Sequence, residues 1–243
     1  MPKMKVVQCW DDGVVTDIRL TEMLRKYGAK ATFNLNIGLH TPERKNPSWN
    51  HDPTFPGWNH FGYSGGKVGL NELKEVYDGF QVASHCWMHE NAGWIPDDKF
   101  IEAAMGPRKF LEDLFQKECR GFAWPCGRFT PETCKLMHEA GFAYGRTCIN
   151  TDDVTDCEDT MALATNCHFQ NADFYRKYEA AKKTGVFYFW GHSYETLDYD
   201  QLWLQLEDKI RYITEDPESE WADVIDIVPL CHKKQTNATG ENK

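Results

Sequence analysis

The sequence predicts an α/β protein built as a barrel of about seven strands. Short apolar segments rich in Val, Phe, Tyr and Trp alternate with amphipathic segments along most of the chain. This alternation is typical of parallel strands joined by right-handed crossovers, and seven or eight repeats favour a barrel over an open sheet. Polar clusters follow several apolar segments, which is where barrel enzymes carry their active residues.

The elements can be assigned in order from this pattern. Strands are predicted at 5–10, 31–37, 80–85, 121–125, 142–148, 162–169 and 186–191, with a late strand at 224–228. Helices are predicted at 16–27, 98–117, 131–140 and 199–213. Pro107 is expected either to kink the second helix or to start a new one, and Thr130 with Pro131 fits a cap and first turn.

The domain organisation is predicted to be simple. One domain is expected over 1–232, with an inserted loop at 40–66 that is too long for an ordinary strand–helix connection. The loop is expected either to cover the barrel mouth or to pack on itself. Its candidates for substrate contact are Trp49, His51, Trp58, His60 and Tyr63. The polar tail 233–243 is expected to be disordered.

The amino-acid composition bears on the class of binding partner and on the cellular compartment. The chain of 243 residues has 27 basic and 37 acidic side chains, a net charge of −10, which argues against nucleic acid and anionic lipid. The nine cysteines form no regular framework, which indicates a reducing compartment. No signal sequence or stretch of transmembrane length is recognised, so a cytoplasmic location without a membrane span is predicted.

Two polar clusters follow predicted strands and suggest a metal site. Asp11 and Asp12 end the first strand, and His85 and His89 follow the third. Two histidines and one carboxylate make a three-ligand site with open positions, which leaves the second aspartate free to act as a base. Alone, an Asp-Asp-Gly sequence is usually a solvated turn. If the two aspartates do form one site, the turn at Gly13 is expected to let both carboxylates reach it.

The motifs resemble those of the polysaccharide deacetylases, the NodB-homology domains of carbohydrate esterase family 4. The resemblance rests on Cys-Trp-Asp-Asp-Gly at 9–13, Ser-His-Cys-Trp-Met-His at 84–89 and Trp-Gly-His at 190–192. The segment 122–127 resembles a degraded third motif, and the similarity covers about 4–230. It implies a distorted (β/α) barrel and a bound divalent metal, most often zinc, with cobalt, nickel or manganese as alternatives.

The resemblance also implies roles for individual residues. Asp12, His85 and His89 match the metal ligands, and Asp11 matches the catalytic base. His192 matches the general acid that protonates the leaving amine.

The third motif departs from the family pattern. The family carries an Arg two residues before the motif's proline, and this chain has Ala123 there. Arg146, near the end of the next predicted strand, is expected to replace it by pairing with Asp11. The backbone amide of Cys126 is expected to donate to the oxyanion, because a backbone donor does not depend on the side chain.

The predicted function is therefore a metal-dependent hydrolase that removes N-acetyl groups from an amino sugar or polysaccharide. A metal-activated water would attack, with Cys126, Trp124 and Trp190 contacting the substrate. Two alternatives stay open, a non-catalytic carbohydrate-binding protein on the same barrel and a deacylase of a small non-sugar amide. A glycoside hydrolase fits poorly, because the adjacent Asp11 and Asp12 cannot flank a sugar from both sides.

Overall fold

The computed structural model describes residues 2–49 and 59–232, and its elements follow one another as alternating strands and helices. The strands are β1 (Met4–Asp11), β2 (Thr32–Leu35), β3 (Asn59–His60), β4 (Tyr63–Ser64), β5 (Gln81–Ser84), β6 (Gly121–Ala123), β7 (Tyr144–Asn150), β8 (Leu163–Thr165), β9 (Cys167–His168), β10 (Val186–Gly191) and β11 (Ser219–Trp221). The α-helices are α1 (Asp17–Lys26), α2 (Leu73–Val76), α3 (Asp97–Phe115), α4 (Pro131–Glu139), α5 (Phe174–Ala181) and α6 (Asp200–Glu215).

Eight strands of the described chain form a nearly closed parallel barrel. Their spatial order is β8-β7-β6-β5-β2-β1-β10-β9, and every pair in this order is parallel. The short β11 pairs with the start of β1, on the side that β2 takes further along. Because all strands run the same way, their carboxyl ends meet at one mouth, as the predicted fold class requires.

The barrel closes through a single short segment. The predicted strand at 162–169 is present but divides at Asn166 into β8, which pairs with β7, and β9, which pairs with β10. Asn166 itself is buried and bonds to both sides. Its backbone N–H donates to Tyr188 O and its side-chain oxygen accepts from Tyr188 N, both at 2.7 Å, while its amide donates to Thr151 O at 3.1 Å.

One predicted strand is wrong. The late strand at 224–228 is instead part of a 3₁₀ helix, Val224–Leu230. Its first turn is held locally, since the Asp226 carboxylate accepts from Asp223 N at 3.0 Å. The turn buries Val224 and Ile227 on one face, a spacing of three that fits a 3₁₀ helix, and the edge pairing with β1 falls to β11.

The four predicted helices correspond to α1, α3, α4 and α6. The alternative that a new helix starts at Pro107 is wrong, because α3 runs unbroken through it. Thr130 caps α4 as expected, accepting from Thr133 N at 3.1 Å. Two helices, α2 and α5, are additional, and α5 buries Phe174, Tyr178 and Ala181 at helical spacing.

The helices pack their apolar faces against the sheet and hold the strands in place. In one layer, Leu20 and Leu24 of α1 and Leu206 and Ile210 of α6 are fully or almost fully buried in the same cluster as Phe187 of β10. Burying a side chain of this size stabilises the fold by about 1.5–3 kcal/mol. The strand ends that carry polar residues are therefore fixed by a close-packed frame.

The insertion at 40–66 is described in part. β3 and β4 form an antiparallel hairpin, and residues 45 and 48 bridge to residues 67 and 64. Trp49 packs on Tyr63 and Tyr199, with ring centroids 5.0 and 5.6 Å apart. His51 and Trp58 lie outside the described residues, as does the tail predicted from 233. Within the described chain, no helix combines the length and apolarity needed to cross a membrane.

Candidate functional site

Asp11 lies at the mouth end of β1 and is held on both carboxylate oxygens. Oδ1 accepts from the Asn34 amide at 2.7 Å, and Oδ2 accepts from the Arg146 guanidinium. Asn34 is the register partner of Asp11 on β2, so the contact follows directly from strand pairing. Burial alone would raise the pKa of Asp11, but Arg146, His85 and His192 outweigh it and hold the pKa well below its usual range.

Asp12 points into the same site because the chain turns at this residue. Its φ is +84° and that of Gly13 is +62°, so the reversal begins one residue earlier than the sequence suggested. A side chain at Gly13 would sit 2.5 Å from the His40 ring, which is why the turn needs glycine there. Asp12 Oδ1 accepts from Asn36 Nδ2 at 2.7 Å, and Lys67 donates to the Asp12 carbonyl and to Asn36 Oδ1.

His85 and His89 converge on Asp12 without a helix. Residues 85–89 form an irregular turn in which Cys86 and His89 have φ of +59° and +63°, so the helical spacing considered for the pair does not apply. The two rings nevertheless lie 4.7 Å apart. His85 Nδ1 donates to Ala123 O at 2.8 Å, and its Nε2 faces Asp12 Oδ1 at 3.7 Å.

This triad suits a divalent cation. The ligand atoms of Asp12, His85 and His89 all lie within 4.8 Å of one another. Because a carbonyl can only accept, His85 must carry its proton on Nδ1, which leaves Nε2 unprotonated in the neutral ring. Burial lowers the pKa of His85, and burial with the neighbouring His85 ring lowers that of His89 to about 4, so both imidazoles are neutral at pH 7. A carboxylate with two neutral imidazoles is a common ligand set for zinc and related metals.

Arg146 contacts Asp11 from β7, the strand next to the one that carries Ala123. The predicted ion pair with Asp11 is present and fully buried. Ala123 on β6 and Arg146 on β7 are direct register partners, so their side chains face the same side of the sheet at the same level. The Arg146 side chain therefore lies one strand to the side of position 123, at the same level in the barrel.

His192 faces the triad from the opposite side of β1. It follows Gly191, which pairs with Trp10, and so lies at the level of Asp11. Its Nε2 is 3.8 Å from Asp11 Oδ2 and 3.9 Å from Asp12 Oδ2. On the other side of the ring, Nδ1 lies 3.3 Å from Glu195 Oε2. Burial would lower the pKa of His192, but the hydrogen bond and charge of Glu195, with Asp12 and Asp11, raise it to about 9.

The three residues expected to contact substrate differ in exposure. Cys126 is exposed in a 3₁₀ turn with φ of +52°, and within the described chain its backbone N–H donates to no protein acceptor. Trp190 is half-buried, with the Arg146 guanidinium 4.8 Å above its ring.

Trp124 is a correction to the sequence interpretation. It is fully buried, stacked on Phe100 at 5.6 Å, and its Nε1 donates to Met161 O at 2.6 Å. Successive residues of a strand point to opposite sides, so Trp124 faces the helices because Ala123 faces the barrel interior. Its side chain is unavailable to a ligand at the mouth.

The sequence interpretation missed several polar residues of the site. Asn34 and Asn36 alternate along one face of an apolar strand, a pattern that could have been recognised as inward-facing amides. Glu195 lies three residues after His192, a spacing that brings side chains together in a helical turn. Lys67 and His168 carry no comparable signal, because their contacts arise only from tertiary structure.

Comparison with known proteins matches the chain to one protein family and to several solved structures. The family model described as polysaccharide deacetylase matches residues 1–145. No curated protein matches the chain significantly. Among solved structures, one described as a polysaccharide deacetylase from Mycobacterium smegmatis is 13% identical with a TM-score of 0.61, covering 94% of this chain and 90% of that one.

Two further structures are similar. A family 4 acetyl xylan esterase from Clostridium thermocellum in complex with a cobalt ion is 14% identical with a TM-score of 0.55, over 93% of this chain and 91% of that chain. The deacetylase PplD of Streptococcus pyogenes, in complex with acetate, is 19% identical with a TM-score of 0.46. That match spans 58% of this chain and about half of the other, 55%.

The similarities to the Mycobacterium smegmatis and Clostridium thermocellum structures, 13% and 14% identical, establish the fold. The family match extends from the first residue to β7 and includes the aspartate and histidine motifs. We conclude that the chain belongs to the polysaccharide deacetylase family, which indicates a hydrolase acting on carbon–nitrogen bonds other than peptide bonds.

Proposed function

We propose that the protein is a metal-dependent N-deacetylase that removes acetyl groups from an amino sugar or polysaccharide. The proposal rests on two acid–base groups of opposite charge that lie beside one triad of candidate metal ligands. The anionic Asp11 and the cationic His192 both lie beside Asp12, which shares the triad with His85 and His89. Amide hydrolysis needs one group to take a proton and another to give one.

Asp11 is suited to the role of general base. Arg146 keeps it ionised and Asn34 fixes its orientation, so the carboxylate can accept a proton without first losing one. Asp12 is assigned to the metal instead, because it shares the triad with both histidines. The two neighbouring carboxylates therefore have different proposed roles, set by different partners.

His192 is suited to the role of general acid. With a pKa of about 9, it carries a proton on Nε2 at neutral pH, on the side that faces the two aspartates. An amine is a poor leaving group unless it is protonated as the carbon–nitrogen bond breaks. The backbone N–H of Cys126, which has no acceptor within the described chain, is the proposed second donor to the oxyanion.

Asp12, His85 and His89 would hold the metal, with zinc as the proposed ion and cobalt, nickel or manganese as alternatives. When bound, such a cation polarises the acetyl carbonyl and lowers the pKa of a water molecule. Its charge also balances the Asp12 carboxylate, which is otherwise offset in this buried site by Lys67 and the histidines.

Exposed aromatic side chains in the segment after β5 favour a carbohydrate substrate. Trp87 and Trp94 follow β5 and remain 40% and 67% exposed, and the Arg128 guanidinium lies 4.8 Å over the Trp94 ring. Flat, amphipathic rings of this kind suit the apolar face of a sugar. This feature favours a sugar amide over a small non-sugar amide.

The alternative of a non-catalytic carbohydrate-binding protein has lost its main support. It rested on the missing arginine at position 123, and Arg146 now fills that role toward Asp11. The reducing compartment expected from the nine cysteines, which are free thiols, stays a prediction, as does the cytoplasmic location.

The test is acetate release by the metal-loaded protein from a panel of N-acetylated amino sugars, their oligomers and small non-sugar amides. We expect turnover of the sugar amides and about one metal ion per chain. Asp12→Ala should lose both metal and activity, whereas Asp98→Ala, an exposed aspartate on α3, should keep both. Stoichiometric metal in Asp12→Ala would contradict the ligand assignment, and a metal-loaded wild type without amide turnover would favour the binding protein.

A further inference from the structure

A second cluster of histidines and a carboxylate lies beside the candidate site. Glu195 Oε2 is 2.8 Å from His168 Nε2, 2.9 Å from the backbone nitrogen of His192 and 3.3 Å from His192 Nδ1. One carboxylate oxygen thus accepts hydrogen bonds from the His168 ring and the His192 backbone, and it forms an ion pair with the His192 ring. Glu195 is 14% exposed and His168 24%, so the cluster is largely shielded from solvent.

The protonation state of His168 follows from its contacts. Its Nδ1 accepts a hydrogen bond from the backbone N–H of Gln170 at 3.2 Å, so Nδ1 carries no proton. In the neutral ring the proton must then lie on Nε2, which donates it to Glu195. Strand pairing fixes this ring, because His168 on β9 is the register partner of Trp190 on β10.

The same contacts argue against a second metal ion. The ligand atoms of His168, His192 and Glu195 lie within 4.8 Å of one another, which by distance alone would admit a cation. A metal requires unprotonated nitrogens, however, and the Gln170 N–H forces the proton of His168 onto the nitrogen that faces Glu195. The His192 backbone N–H also donates to the same oxygen. The N–H groups of this cluster therefore point at Glu195, where a metal ion would need unprotonated nitrogens.

We propose that His168 is a positioning residue that acts through Glu195 to hold the His192 ring with its Nε2–H directed at the leaving amine. The proposal rests on the deacetylase function proposed above. His168 fixes the Glu195 carboxylate from one side, and the Gln170 side chain donates to the Glu195 carbonyl at 2.9 Å, so the turn that carries Glu195 is held at two points. His168 itself contacts neither triad nor substrate in this proposal.

The proton transfer that His192 performs is a simple exchange. As the carbon–nitrogen bond breaks, the Nε2–H bond of His192 breaks and an N–H bond forms on the departing amine. The imidazole is left neutral and regains its proton from water. Misorientation of the ring should slow only reactions whose leaving group needs this proton.

Leaving-group dependence therefore gives a direct test. The metal-loaded protein is assayed on an N-acetylated amino sugar, whose amine must be protonated, and on an aryl acetate, whose phenolate leaves without a proton. His168→Phe, which keeps a ring but has no donor, should lower kcat on the amide about tenfold with KM unchanged. On the aryl acetate its kcat should stay within about twofold of wild type.

Matched variants separate positioning from damage to the fold. His168→Gln retains an N–H donor at similar reach and should keep amide turnover within about threefold of wild type. His138→Phe removes another His–carboxylate contact, the 2.7 Å pair with Asp159 on the exposed side of α4, and should change neither substrate. Equal losses on amide and ester, or full amide activity in His168→Phe, would overturn the proposal.

Failure of the proposed function would give a different result. A wild type that hydrolyses neither substrate would reject deacetylation, and the positioning proposal would then be judged by ¹⁵N NMR of the histidine rings. We expect neutral His168 protonated on Nε2, and His192 signals that shift in His168→Phe but not in His168→Gln. A proton on His168 Nδ1, or unchanged His192 signals in His168→Phe, would overturn it.

Discussion

At the scale of single residues, buried charges in this site are each matched by a specific partner. Asp11 is paired with Arg146, and His192 with Glu195. A buried charge without a partner would cost several kcal/mol, so these contacts also determine which protonation state each group can adopt. Asp11 and Asp12 are both aspartates at the end of one strand, but their different partners give the two carboxylates different chemical environments.

The role of the arginine can be tested by moving it from position 146 to position 123. Arg146→Ala leaves Asp11 buried without its cation, and we expect kcat on the amide to fall about a hundredfold. Adding Ala123→Arg should recover much of that loss, because residues 123 and 146 are register partners that face the same interior. Steady-state kinetics and metal content would be measured on both variants.

Two outcomes would count against this account. The first is an Arg146→Ala variant with unchanged kcat, and the second is a double variant that is folded and metal-loaded but no better than the single one. Arg146→Lys serves as a control for folding, since it keeps a cation but loses the planar fork that suits a carboxylate. Its activity should lie between those of wild type and Arg146→Ala.

His40 should make the protein sensitive to acid. Burial, with the nearby Lys67, lowers its pKa to about 4 despite a 2.7 Å contact from Nδ1 to Val68 O, and Nε2 is buried without a partner among the described residues. The unfolded chain takes up this proton near pH 6.5, whereas the fold resists it until about pH 4. The contribution of His40 to the free energy of unfolding is therefore fully present above pH 6.5, and it falls by about 3 kcal/mol as the pH drops to 4.

His40→Asn should remove this share of the acid sensitivity, because its amide can still donate to Val68 O but does not titrate. Denaturant unfolding of metal-free protein between pH 4 and 7 would measure it. His85 and His89 contribute in the same direction to both proteins, so the difference isolates His40. Parallel pH profiles for variant and wild type would contradict the assignment.

At the scale of elements, the turn at 85–89 is shaped by its neighbours and not by its own helical propensity. Trp87 is clamped between two glycines, Gly38 and Gly106, where an added Cβ would lie 2.4 and 2.9 Å from its ring. The Trp87 carbonyl also accepts from Gly38 N at 2.8 Å. The clamp holds His89 near His85, so the ligand geometry depends on residues in three different elements.

Gly38→Ala should therefore weaken metal binding. The new methyl group must displace Trp87, which can swing toward solvent and take the turn with it, and we expect about a tenfold loss of metal affinity. Gly28→Ala is the matched control. Its Cβ meets nothing within 4 Å, and its φ of +61° costs about 1–2 kcal/mol of stability without touching the site. Isothermal titration with zinc would compare them, and equal affinity in Gly38→Ala and wild type would be inconsistent with the clamp.

At the scale of the whole molecule, barrel closure depends on a short seam. β8 and β9 are three and two residues long, and Asn166 between them links Tyr188 on β10 to Thr151 beyond β7. The hydrogen bonds of the Asn166 side chain take the place of regular strand pairing at this point, because β8 and β9 are short. This seam also places His168 beside the strand that leads to His192.

Asn166→Ala should destabilise the protein by about 2–5 kcal/mol, because it leaves the Tyr188 N–H and the Thr151 carbonyl without their partner. Urea unfolding would measure the change. Asn171→Ala, which removes an exposed contact to Asp173 N, should cost less than about 1 kcal/mol. Similar small losses in both variants would indicate that the seam is not a principal closure of the barrel.

Much of the fold was predictable because it follows from local pattern. The alternation of apolar and amphipathic segments predicts the parallel barrel, and seven of the eight proposed strands are present. The strand at 224–228 was wrong because a capped 3₁₀ helix buries the same apolar side chains. Trp124 was wrongly expected at the mouth because a motif position does not reveal which side of a strand a residue faces.

The sequence by itself determined which residue types reach the barrel mouth, since the Asp-Asp and His motifs each end an apolar strand and parallel strands end together. Only the tertiary structure decided their partners. Arg146 meets Asp11 from a non-neighbouring strand, Lys67 meets Asp12 from just after the insertion, and His168 meets Glu195 across the seam. These pairings depend on strand register and barrel closure, which arise from packing of distant segments and leave no spacing signal in the chain.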